Sequence, residues 1–127
     1  MKNKIKAVSD FHNAFGLDQE SSPKADLGAA KHRLRFDLMR EENEEYLEAA
    51  ENGDLVEIAD ALGDQLYILC GTILKHGLQH KIAEVFEEIQ RSNMSKLDKD
   101  GKPIYREDGK VMKGPNYFKP NFEEILK

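Results

Sequence analysis

The residues best placed to do chemistry are six carboxylates in two short runs. Glu41-Glu42-Asn43-Glu44-Glu45 is followed by Glu57-x-x-Asp60-x-x-x-Asp64. On a helix, at about 100° per residue, Glu41 and Glu45 fall roughly 40° apart and Glu42 and Glu45 roughly 60° apart. Glu57, Asp60 and Asp64 share an arc of roughly 60°. Both sets interrupt apolar stripes, and no Lys or Arg occurs between Glu41 and Leu74. Ionised carboxylates brought together without a counter-charge repel one another and are costly to desolvate. A hard divalent cation, Mg²⁺ or Mn²⁺, is the simplest remedy, since oxygen ligands suit it. Held by a few carboxylates, such an ion keeps positions open for water and phosphate oxygens, which favours phosphoryl or nucleotidyl chemistry. Glu44, Glu48 and Glu51 read instead as a solvated face.

Helices must position these groups. Residues 4–15 read as a short amphipathic helix bearing Val8, Phe11, His12 and Phe15, stopped by Gly16. Residues 17–25 read as a loop. A long helix is predicted over 26–51, with Asp26 as N-cap and Asn52-Gly53 as stop. Its stripe Leu27, Ala30, Leu34, Leu38 runs on to Glu41 and Glu45. Asp54 can cap a helix over 55–75 that is apolar over much of its surface, as a buried helix is, and Gly77 ends it. A fourth helix is predicted over 79–93. Gly, Pro, Lys and Asp dominate beyond residue 95. Asp100-Gly101 and Asp108-Gly109 signal turns around strand-like pieces at 103–105 and 110–112, a small hairpin. Residues 115–120 form an irregular strap, and 122–126 a final helical turn. The expectation is one all-α domain over 1–127, a four- to five-helix bundle (1–94) with a hairpin and strap extension (95–127).

Composition narrows the partners. With 19 basic and 24 acidic residues in 127, the net charge is −5. Such a chain does not hold nucleic acid by general electrostatics. No run approaches the roughly 20 apolar residues of a membrane span. Met1-Lys2-Asn3-Lys4 leads into no signal peptide, and the single Cys70 fits a reducing, cytoplasmic setting. So thin a core around so apolar a third helix points to a homodimer or homotetramer.

Glu41-Glu42-x-x-Glu45 followed by Glu57-x-x-Asp60 resembles the motif of the all-alpha nucleoside triphosphate pyrophosphohydrolase superfamily, which includes MazG proteins, dimeric dUTPases and phosphoribosyl-ATP pyrophosphohydrolases. Phe11-His12-x-Ala14-Phe15, Ser92-Asn93-Met94-Ser95-Lys96 and the tail 109–115 resemble a MazG-like subgroup often labelled phosphoribosyl-ATP pyrophosphohydrolase-like. The tail argues against taking that label literally. The resemblance implies Mg²⁺-dependent hydrolysis of a small-molecule NTP or dNTP to monophosphate and pyrophosphate. Glu42, Glu45, Glu57 and Asp60 match the metal ligands, with Asp64 as a further one, and Glu41 matches a carboxylate that orients or deprotonates the attacking water. Asn93 and Lys96 could reach the β- and γ-phosphates, Lys113 could close over them, and His12 and Tyr117 could line the base pocket. The alternatives are phosphoribosyl-ATP hydrolysis and a non-catalytic nucleotide- or partner-binding helical protein.

Other signals are weaker. His76 and His80 have zinc-helix spacing, but Gly77 lies between them and no carboxylate base follows. Asp98-x-Asp100-Gly101 lacks a third acidic position for calcium. There is no GxxxxGK[ST] loop, and no His stands three residues after Glu45 or Glu57, as a di-iron bundle requires.

Overall fold

The computed structural model describes residues 1–127. It is all-helical, with α1 (Lys2–Ala14), α2 (Ala29–Glu51), α3 (Leu55–Lys75) and α4 (Ile82–Met94). The chain divides into two compact units, Met1–His80 and Lys81–Lys127, so α4 belongs with the tail although the composition changes only after it.

In the first unit α3 is the common partner of α1 and α2. Asp54 caps α3 as its type and position require, its carboxylate accepting from the Glu57 N–H at 3.1 Å. Asp26 does not cap α2. Its carboxylate closes a local turn on the Gly28 N–H at 2.8 Å, and Gly28 has φ +95°, a conformation no helical residue holds, so the helix begins at Ala29. The loop before it docks on the end of α3 through Glu20 N–H to Leu74 O at 3.0 Å and Lys24 N–H to His76 O at 2.8 Å.

The core joins Ile5 and Val8 of α1, Ala49 of α2, and Ala61, Cys70, Ile73 and Leu74 of α3. The stripe expected on α2 is therefore displaced. Leu34 is exposed while Leu38 keeps its place, and the less exposed positions are Arg35, Asp37, Leu38, Met39, Glu42, Ala49 and Ala50. Among them Arg35, Leu38, Glu42 and Ala49 form one line that, at about 100° per residue, lies roughly 40–100° around the helix from Leu34. Two of its members are charged, so reading the apolar residues alone picks the wrong line. Nor is α3 buried all round: Leu62, Tyr67 and Leu69 are 49%, 42% and 45% exposed.

In the second unit α4 starts at Ile82, later than its apolar pattern suggests, because Gln79 lies outside the helix with its side chain donating to Glu20 O at 2.7 Å. The expected hairpin shrinks to one antiparallel bridge, Tyr105–Val111. Backbone bonds from Arg106 N–H to Lys110 O at 2.8 Å and from Met112 N–H to Ile104 O at 2.7 Å flank it, and in the turn Asp108 takes up the Lys110 N–H and pairs with Arg106. Residues 122–126 make a single turn, Leu126 N–H to Phe122 O at 3.0 Å. The strap is tied to α4: the Ser92 hydroxyl donates to Phe118 O at 2.8 Å, and the Phe118 N–H donates to the Ser95 hydroxyl at 3.2 Å.

Candidate active site

The antiparallel α2–α3 pair sets its polar side chains opposite one another. Arg35 meets Ile68 and Thr72, Gln65 reaches Asn43, and the Asp54 N–H bonds to Ala49 O at 3.0 Å. Between these contacts Glu42 comes together with Glu45, Asp60 and Asp64. Its carboxyl is pushed up to about 7, first by loss of water around it, then by the neighbouring Glu45 carboxylate and the charges of Asp64 and Asp60. One Glu42 oxygen, Oε2, is buried with no hydrogen-bond partner. A buried acceptor among like charges calls for a proton, a water or a cation beside it.

Beside it lies an open cavity of about 230 Å³ lined by Glu45, Glu48, Ala49, Asn52, Asp54, Glu57 and Asp60. No Lys, Arg or His forms an ion pair with Glu42, Glu45, Glu57, Asp60 or Asp64. Arg40, the nearest cation in sequence, pairs with Asp37 and Glu44 instead. An all-oxygen donor set without counter-charge fits a hard divalent ion by chemistry and by charge. Of these donors Glu45, Glu57 and Asp60 border the cavity and Glu42 and Asp64 do not, and no three of them stand close enough to hold an ion together.

The other residues singled out by sequence are not among those lining the cavity. Glu41 is exposed and does not border the cavity; Glu45, Glu57 and Asp60, which do border it, are exposed as well, so only Glu42 and Asp64 of the six are partly buried. His12 is 3% exposed, buried in α1 against α3 with Nδ1 unpartnered. Burial, then the charges of Lys75 and Arg35, lowers its basicity and keeps the ring neutral. Asn93, Lys96, Lys113 and Tyr117 belong to the second unit, where the Lys113 ammonium lies 4.8 Å over the Tyr117 ring. Neither Lys96 nor Lys113 has a carboxylate partner. Of the zinc-spaced pair, His76 is engaged through Nδ1 with Lys24 O at 2.7 Å, and His80 is exposed. Asp98 receives the Asp100 and Lys102 N–H groups and so makes a turn.

Sequence reasoning missed Glu48, Asn52 and Asp54 as cavity walls. The antiparallel packing of α2 on α3 brings the turn between them onto the site, a long-range fact with no local signature.

The family described as phosphoribosyl-ATP pyrophosphohydrolase matches residues 8–93, a span containing all six carboxylates. An uncharacterized protein of Acanthamoeba polyphaga mimivirus is 28% identical over 126 residues, which cover 95% of this chain and 45% of that protein. The chain thus spans less than half the length of this curated relative. A solved structure from Exiguobacterium sp. 255-15, of a protein provisionally assigned as an NTP pyrophosphohydrolase, is 26% identical, covering 93% of this chain and 89% of that one, with a TM-score of 0.49. No helix is long and apolar enough to cross a membrane.

Proposed function

The chain belongs to the phosphoribosyl-ATP pyrophosphohydrolase family, and from that premise we propose that it is a Mg²⁺-dependent hydrolase that converts a nucleoside or deoxynucleoside triphosphate to monophosphate and pyrophosphate. The observation that carries this reading is Glu42, raised to about 7 with Oε2 orphaned beside Glu45, Asp60 and Asp64. A merely solvated acidic face needs no such group.

Glu42, Glu45, Glu57 and Asp60, with Asp64 behind them, would hold the metal. When bound, a divalent ion neutralises charge on the phosphate oxygens and polarises water. Glu41, exposed and adjacent in sequence to Glu42, is assigned to the attacking water as orienting group and proton acceptor. The water oxygen bonds to the α-phosphorus, the bond to the oxygen bridging to the β-phosphorus breaks, and pyrophosphate departs. Lys96 and Lys113, lacking carboxylate partners, are assigned to the phosphates with Asn93, and Tyr117 to the base. A second copy of the chain is proposed to cover Leu62 and Tyr67 of α3, and the cytoplasm is the proposed setting.

The test is product analysis with Mg²⁺ across canonical and modified NTPs and dNTPs, resolving pyrophosphate from single phosphate. Monophosphate plus pyrophosphate, abolished by Asp60→Asn in a folded protein, is the expected result. Activity retained in both Asp60→Asn and Glu42→Gln would remove the metal assignment. The family description itself favours one second reading, phosphoribosyl-ATP as substrate. It prevails if that compound alone is turned over.

A further inference from the structure

A second cavity on the same helix pair has the opposite character. It measures about 500 Å³ and lies between the first half of α2 and the last half of α3, near the docked loop. Phe36, Met39 and Leu69 give it apolar walls, and Arg35, His32 and His76 are its basic groups. Arg35 lies seven residues before Glu42, about 10 Å along the helix.

Arg35 is built into place. Its Nε donates to the Thr72 hydroxyl at 3.0 Å and its Nη2 to Ile68 O at 2.8 Å. Gly71 makes the room: a Cβ there would stand 2.6 Å from Arg35 Nη2. The chain has five arginines, and Arg33, Arg40, Arg91 and Arg106 each pair with a carboxylate. Arg35 alone has none, although it is half-buried and loss of water weakens its hold on its proton. The nearby acids are engaged elsewhere, Asp37 with Arg33 and Arg40 and Asp18 with Lys31 and Lys75. A desolvated, fixed guanidinium with free N–H groups facing a cavity calls for an anion, and its planar fork suits phosphate.

The histidines define the other wall. Their rings stack at 5.8 Å with 18° between planes. His32 Nε2 accepts the Leu27 N–H at 2.9 Å, so the neutral ring carries its proton on Nδ1. His76 Nδ1 faces the Lys24 carbonyl at 2.7 Å and is the donor there, leaving Nε2 free. Flat rings and apolar side chains around one fixed cation match a small ligand with an anionic end and a flat body.

We propose that this cavity is a second ligand site, distinct from the carboxylate cluster, that binds a phosphomonoester carrying a flat ring, the class of the nucleoside monophosphates. The phosphate sits on Arg35, and the ring lies among His32, His76 and the apolar walls. The site does not depend on the proposed hydrolysis.

The probe is adenosine monophosphate, titrated calorimetrically into the protein in EDTA at low salt, where the five metal-free carboxylates repel a phosphate. Inorganic phosphate and adenosine are titrated separately. The nucleotide is expected to bind at least tenfold more tightly than either fragment. Gly71→Ala displaces the flexible end of Arg35 without removing its charge, and alanine favours a helix. This variant, checked to be folded by circular dichroism, is expected to lose at least tenfold in affinity, as are Arg35→Gln and Met39→Glu. Glu42→Gln is expected to leave this affinity unchanged. Three outcomes would overturn the proposal: no binding in EDTA, phosphate alone binding as tightly as the nucleotide, or full affinity in folded Gly71→Ala and Met39→Glu. Affinity that follows Glu42→Gln would also overturn it, by moving the ligand to the acidic cavity.

Discussion

Replacing Glu42 with Gln should stabilise the metal-free protein while destroying its activity, a pair of effects that a decorative acidic face cannot produce. The glutamine imitates the protonated acid and removes one charge facing Glu45, Asp60 and Asp64. A carboxyl raised from 4.5 to about 7 corresponds to a ceiling of about 3 kcal/mol. Glu42 keeps part of its contact with water, and screening reduces the expected gain to about 1 kcal/mol. For a domain of this size that is about 4 °C in Tm. The sign follows from linkage. Because the folded state holds this proton more tightly than the unfolded chain, its contribution is complete below 4.5 and is lost as pH rises through about 7. Thermal unfolding in EDTA should therefore show parent and variant together near pH 4.5 and the variant ahead by about 4 °C at pH 8. Mg²⁺ should restore the parent at pH 8 and help the variant much less. Equal stability of the two proteins at pH 8 in EDTA, or a gap that does not change with pH, would refute the electrostatic account of the site.

Mg²⁺ should raise the Tm of the parent protein by mass action, and chelation should reverse the rise in a differential scanning experiment. Asp54→Ala removes the cap of α3 and should cost about 1 kcal/mol in urea unfolding at unchanged m-value. His12 is buried neutral, so its contribution is complete above 6.5 and falls away as pH drops below that value; the acid limb of the stability curve should flatten in His12→Gln. Lys96→Ala and Lys113→Ala should raise KM for the triphosphate several-fold in steady-state assays, and unchanged kinetics in both would remove them from the substrate site.

Much of this was legible in the sequence where one residue type answers to one local requirement. Asp54 before an apolar run specifies a helix start, and α3 begins at Leu55. The acidic motif stood out as carboxylates on apolar helix faces, yet in the structure only Glu42 and Asp64 are partly buried and Glu41, Glu45, Glu57 and Asp60 are exposed. The orientation of α2 could not be read. Its less exposed line carries Arg35 and Glu42, so hydropathy selected the neighbouring line through Leu34 and grouped Glu41 with Glu45. Asp26 was misleading for a similar reason, since an Asp that closes a turn on Gly28 looks like one that caps a helix. The tail hairpin comes down to one bridge with a backbone bond on either side, and in its turn the Asp108 side chain takes up the Lys110 N–H.

The placement of charge along the α2–α3 pair is poor design for stability. Arg35 and Glu42 share one line of α2, each without a partner of opposite charge, yet they stand about 10 Å apart where neither can neutralise the other. Moving the cation three or four residues nearer would join them as a helical pair and spare both the cost of lone burial. The structure instead fixes Arg35 away from the acids, with Thr72, Ile68 O and the notch at Gly71. Held apart at that cost, the two charges are each left free for a ligand of opposite sign. A designed swap tests this. Arg35→Leu combined with Met39→Arg puts the cation three residues before Glu42. It should raise the metal-free Tm at pH 8 by several degrees, lower the Glu42 pKa toward 4.5, and weaken both Mg²⁺ and nucleotide monophosphate binding. A swapped protein that gains stability and keeps both ligands would show that the separation serves neither.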